Sequence, residues 1–275
     1  MTAETDAAPT ATVLDLAHAM MEAAPEDAGA RMRFYERLAD TELFLLLVDE
    51  AEGDAPVRPQ VFALEEGRFV LAFDSEERLA SFADAPTPYA AIPGRVVVAM
   101  LAQAGELGLG LNLAVAPSSF LMPAGAVSWL SDMLAAAPQA AAGLPRGFAR
   151  PTALPPELEP ALRAKLPQLA GFAETALLAA VSYADDRRGH MLAFLGARPG
   201  SEPALAKAVG EALAFSGIEA GEIDVAFLAP DSAAARTMAG VAIAVEIPRL
   251  AADPAPAPRA PAAPGMDPER PPILR

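Results

Sequence analysis

The chain has 275 residues, 53% of them apolar, no cysteine and a formal charge of −16. The missing cysteines exclude disulfides, thiolate metal sites, iron–sulfur clusters and thiol nucleophiles. The acidity opposes nucleic-acid binding, which needs several Lys and Arg contacts to phosphate, and it is concentrated in residues 1–141, with 21 acids against 7 bases.

Residues 1–11 are small and polar and are expected to be disordered. They carry no basic and apolar leader pattern, and no apolar run approaches the length of a membrane span. A soluble, cytoplasmic chain without membrane contact is expected. Val13-Leu14, Leu16-Ala17 and Met20-Met21 recur at helical spacing, and a second helix is predicted over Asp27–Ala39. Leu43–Val48 reads as a buried strand, followed by an acidic loop, Asp49–Asp54. Val61–Leu64 and Phe69–Phe73 then form a hairpin around Glu65–Arg68. Asp74 and Glu77 have capping-box spacing, so Asp74 is expected to open a short helix with Leu79 and Phe82 inward.

A strand Tyr89–Ile92, a helix Arg95–Ala104, strands Leu109–Val115 and Phe120–Met122, and a helix from Pro123 to about Ala137 complete one α+β unit. Residues 138–156 are rich in Pro and Gly and read as a linker. The second unit is predicted as helix Glu157–Leu166, strands Thr175–Tyr183 and His190–Gly196, helix Glu202–Ser216, strand Ile223–Leu228, helix Asp231–Ala239 and strand Val241–Ile247. That order suits a compact α/β sandwich. The fold class is therefore two small mixed-sheet domains, 12–137 and 157–247. A Pro/Ala-rich tail, 248–275, is expected to be disordered.

The run Phe69-Val70-Leu71-Ala72-Phe73-Asp74-Ser75-Glu76-Glu77-Arg78-Leu79 resembles the signature of the SseB family of bacterial "enhanced serine sensitivity" proteins. Tyr89–Ala104, Gly108-Leu109-Gly110-Leu111-Asn112 and Phe120-Leu121-Met122-Pro123 match the same pattern in order, so the resemblance spans about residues 30–136. Asp74 stands where the family usually has Thr, and Leu113 where Pro often follows the Asn. The second unit resembles the family's C-terminal domain through its element order. The resemblance implies a bacterial regulatory or accessory protein and brings no enzymatic activity with it.

The residues themselves give no convergent catalytic set. The two histidines, His18 and His190, lie in different predicted units. Ser118-Ser119, Ser128 and Ser201 lack a nucleophile elbow. Gly108-Leu109-Gly110 lacks the third glycine and the lysine of a phosphate loop. Asp49–Asp54 misses EF-hand spacing, and Glu65-Glu66, Glu76-Glu77 and Asp185–Arg188 read as turn or helix-start charges. No catalytic residue, cofactor or metal is expected.

The remaining candidates are contact residues. Trp129 and Met133 share a helix stripe with Val127, Leu130 and Leu134, which serves as core, as a seam against the second unit, or as a partner groove. Phe73, Asn112 and Phe120 are placed at strand ends, where they would serve as core or turn residues or line a pocket. The expected function is protein–protein binding without catalysis. A small-molecule sensor related to amino acids, or a carboxylate-based enzyme, is the alternative. The Pro-rich tail offers a third route to a partner.

Overall fold

The computed structural model describes residues 11–50, 56–83, 85–136, 143–152, 154–218 and 223–248. The expected disordered ends (residues 1–10 and 249–275), most of the acidic loop and the start of the linker lie outside these ranges. Among the described residues no helix is long and apolar enough to cross a membrane.

The first unit begins with α1 (Val13–Ala23) and α2 (Ala28–Asp40). Thr12 caps α1 in a reciprocal box with Asp15, satisfying two helix-start donors. The chain then enters β1 (Glu42–Leu46), β2 (Val61–Leu64), β3 (Gly67–Phe73), α3 (Glu76–Phe82) and β4 (Tyr89–Pro93). It closes with α4 (Gly94–Ala104), β5 (Leu107–Leu111), β6 (Phe120–Met122) and α5 (Ala124–Ala135). The sheet order is β4-β1-β3-β5-β6, and β2 pairs with β3. β3 and β5 are parallel neighbours, whereas the other pairings are antiparallel.

Alternation along the strands divides the core between two faces. Leu43, Leu45, Val70, Ala72, Leu109 and Leu111 meet α1, α2, α4 and α5, while Phe69, Leu71 and Phe73 lie on the opposite face beneath α3. Gly108 and Gly110 of β5 exist for this second layer. A Cβ on Gly108 would come within 2.5 Å of the Phe69 ring, and one on Gly110 within 2.6 Å of Leu71. Gly94 has a similar role at the α4–α2 crossing, where a Cβ would fall 1.9 Å from the Leu38 carbonyl oxygen.

Three local expectations change. Ser75, not Asp74, caps α3, because its side chain accepts from the Arg78 N–H at 3.2 Å. β5 stops at Leu111 rather than Val115, since Asn112 and Ala114 take positive φ values of 49° and 62°. Within the expected linker, Pro145–Ala149 forms β7 and pairs with the second sheet.

That sheet continues through α6 (Leu158–Lys165), a 3₁₀ turn (Leu166–Leu169), β8 (Thr175–Tyr183), β9 (Arg188–Leu195), α7 (Glu202–Phe215), β10 (Ile223–Leu228), α8 (Ala233–Ala239) and β11 (Ile243–Glu246). Its order is β10-β9-β8-β11 with β7 also on β8, and only β9 and β10 run parallel. α6 and α7 cover one face through Leu158, Leu162, Leu205 and Val209; Met238 of α8 packs on the other.

The two units share a seam. Phe215, at the end of α7, is 1% exposed and belongs to the core of the first unit. Beside it, Lys165 Nζ lies 2.7 Å from Asp40, 3.1 Å from Glu211 and 3.6 Å from Glu36. Arg95 donates to Asp40 and to Glu211, at 2.5 and 3.0 Å. Burial pushes the Glu36 carboxyl up. For Asp40 burial acts in the same direction, but Lys165 and Arg95 reverse it and hold that carboxyl below its ordinary range.

Candidate functional site

The C-terminal ends of the parallel pair β3–β5 are where an α/β sheet commonly places a ligand. Here they carry a closed polar network. The Asp74 N–H donates to Asn112 Oδ1 at 3.1 Å; Asn112 Nδ2 donates to Ser118 Oγ at 2.9 Å; Ser118 donates to Asp15 Oδ1 at 2.6 Å. Arg78 donates to Asp74 at 2.7 Å and to both carboxylate oxygens of Asp15. The Thr12 hydroxyl donates to Asp74 at 2.5 Å.

Asp15, Arg78, Asn112 and Ser118 are all buried. Burial would raise the Asp15 pKa, but hydrogen bonds from Arg78, Ser118 and the Thr12 N–H bring it down to about 2. The network therefore fixes a carboxylate rather than a proton donor. It ties α1 to α3 and to the segment after β5, and Asn112 is its hinge, adopting the positive φ that its side-chain type tolerates.

The expected contact residues do not converge. Phe73 and Asn112 are fully buried, the first against Phe82 at a ring-centroid distance of 5.2 Å. Neither is among the residues lining the cavity that Phe120 borders, and the Asn112 amide is bonded to Asp74 and Ser118. Phe120 is half-buried beside Phe34 and His18 and does border a cavity, of about 290 Å³, shared with His18, Glu22, Leu113, Ser119 and Leu121. Trp129 is 41% exposed against Tyr35, and Met133 is half-buried on the same helix.

Sequence reading missed the network and the outer face of α1. Asp74 and Arg78 stand at i, i+4, a spacing that favours an ion pair on a helix, but Asp15 and Ser118 join them only through tertiary contact. With Leu14, Asp15, His18 and Met21 turned inward, α1 leaves Val13, Leu16 and Met20 outward at 61, 59 and 56% exposure. Their i, i+3, i+7 spacing makes one continuous apolar stripe. The apolar pairs were visible in the sequence, but not which member of each pair faced solvent.

Residues 16–129 match the model of the SseB protein N-terminal domain. No curated protein and no solved structure matches the chain. The match takes in α1 from Leu16, the β3–α3 run and the whole polar network apart from Asp15 and Thr12. The first unit of this chain is an SseB N-terminal domain.

Proposed function

We propose that the chain is a non-enzymatic binding protein of the cytoplasm and that α1 is its docking element. The observation that carries this reading is the stripe of Val13, Leu16 and Met20, more than half exposed on a helix whose other face is anchored by Leu14, Asp15 and Met21. A loose amphipathic helix would lose much of its docking free energy to ordering; α1 is already fixed through Asp15 and Arg78. The occupant is a partner protein with an apolar groove and a basic rim, because the stripe belongs to the acidic half of the chain.

The internal satisfaction of the polar network supports a role in positioning rather than in chemistry. We also read the second unit as the family's C-terminal domain, on the strength of its element order. Burying the exposed parts of Leu16 and Met20, a little over half of each side chain, contributes roughly 2–3.5 kcal/mol. The test is capture from native lysate with the wild-type chain, with L16Q/M20Q, and with Val96→Gln as a control for another half-exposed apolar residue. One stoichiometric partner retained by the control and lost by the double variant supports the reading. A partner held equally by all three overturns it.

A further inference from the structure

Nine polar or charged residues among those described are buried, and eight of them are engaged. Asp15, Glu36, Arg78, Asn112, Ser118, Lys165, Ser201 and Glu211 each make a hydrogen bond or ion pair. His18 is 8% exposed, its ring lies edge-on to Phe34 and Phe120, and it has no hydrogen-bond partner among the described residues. No buried side-chain nitrogen or oxygen among the described residues lacks a partner, so the unbonded His18 nitrogens stay open to solvent and are available to a ligand. His18 borders the cavity of about 290 Å³ that opens between α1 and the β5–β6 connection.

The rest of that cavity indicates what would meet it. Leu113, Phe120 and Leu121 make an apolar wall, while Glu22, one turn after His18 on the same side of α1, and Ser119 bring oxygen acceptors. The wall is held in place, because Asn112 and Ala114 turn the chain at positive φ and Ser118 is pinned to Asp15. Glu22 and the acidic half-chain disfavour an anion and favour a cation. The volume is at the small end of ligand pockets, about 300–1,000 Å³.

We propose that this cavity binds a small primary ammonium ligand bearing an apolar arm. The ammonium donates to the Glu22 carboxylate and the Ser119 hydroxyl beside the His18 ring, and the arm packs on Phe120 and Leu121. The docking stripe is on the opposite side of α1, so neither assignment depends on the other.

The test is an NMR titration of the full chain at pH 8, following the ring protons of its two histidines, with His190 as internal reference. Phenethylamine is the probe and 3-phenylpropionate its anionic counterpart. Phenethylamine should give a saturable shift at His18 and none at His190. The anion and the Glu22→Gln variant should each bind at least about tenfold more weakly, the equivalent of one charge-assisted hydrogen bond. No saturable shift up to about 10 mM, an anion that binds as well, or an unaffected Glu22→Gln variant would each overturn the proposal.

Discussion

Replacing Lys165 with Met tests whether the seam between the two units is held by charge. Met keeps the apolar stem and removes only the ammonium, which is 4% exposed at the side chain and lies within 3.6 Å of three carboxylates. The variant leaves Asp40 and Glu211 with Arg95 and takes from Glu36 its ion-pair partner. Breaking a buried pair by removing one partner costs about 3–5 kcal/mol, because the other charge stays desolvated. The deficit should depend on pH in a set direction. In the wild type Lys165 helps to hold Asp40 low, so that its contribution is present at neutral pH. Without Lys165 the carboxyls rise, the folded state is penalised most when they are ionised, and the penalty relaxes as they take up protons. Urea unfolding followed by Trp129 fluorescence and far-UV circular dichroism should show the full deficit at pH 7 and a smaller one at pH 5. A variant within about 1 kcal/mol of wild type at pH 7, or a deficit that grows on acidification, would refute the reasoning.

Asp15→Asn should remove an acid-labile contribution. With the Asp15 pKa lowered to about 2 from 3.8, its stabilisation is intact above pH 4 and is lost as pH falls through the folded value. This amounts to about 2 kcal/mol that the variant should not show in acid titrations followed by circular dichroism. Gly108→Ala should destabilise by about 1–3 kcal/mol in urea, since the new methyl meets Phe69 at 2.5 Å and the Met122 carbonyl oxygen at 2.7 Å; a neutral outcome would mean that both Phe69 and the β6 backbone give way. Phe215→Ala should cost about 3–5 kcal/mol and speed hydrogen exchange in α2 as well as in α7, because this side chain fills the neighbouring unit's core. Faster exchange confined to α7 would contradict that placement.

The periodic segments were legible because burial follows period: the Phe69–Phe73 strand, α2 and the β8–β9 hairpin each lie within a residue or two of their expected positions. The departures share a physical cause, a long-range partner overriding a local signal. Asp74 has the spacing of a cap but points to Arg78 and Thr12, leaving the cap to Ser75. Pro145–Ala149 has linker composition, yet the open edge beside the second half of β8 takes it as a strand. Nothing local in the sequence marks Lys165; its ion pairs to Glu36 and Asp40 of α2 and Glu211 of α7 make it the centre of the seam. Asn112, expected at a strand end, bonds through its amide to the Asp74 N–H and to Ser118, partners that no local pattern names.

The docking role of α1 is tested most directly by where a bound partner cross-links. A photo-crosslinking residue in place of Ala23, exposed at the end of α1 and flanking the stripe, should capture the partner in high yield. The same residue in place of Val96 or Trp129 should not. A partner captured from the Trp129 position, with no product from Ala23, would contradict the account and move the docking surface to α5.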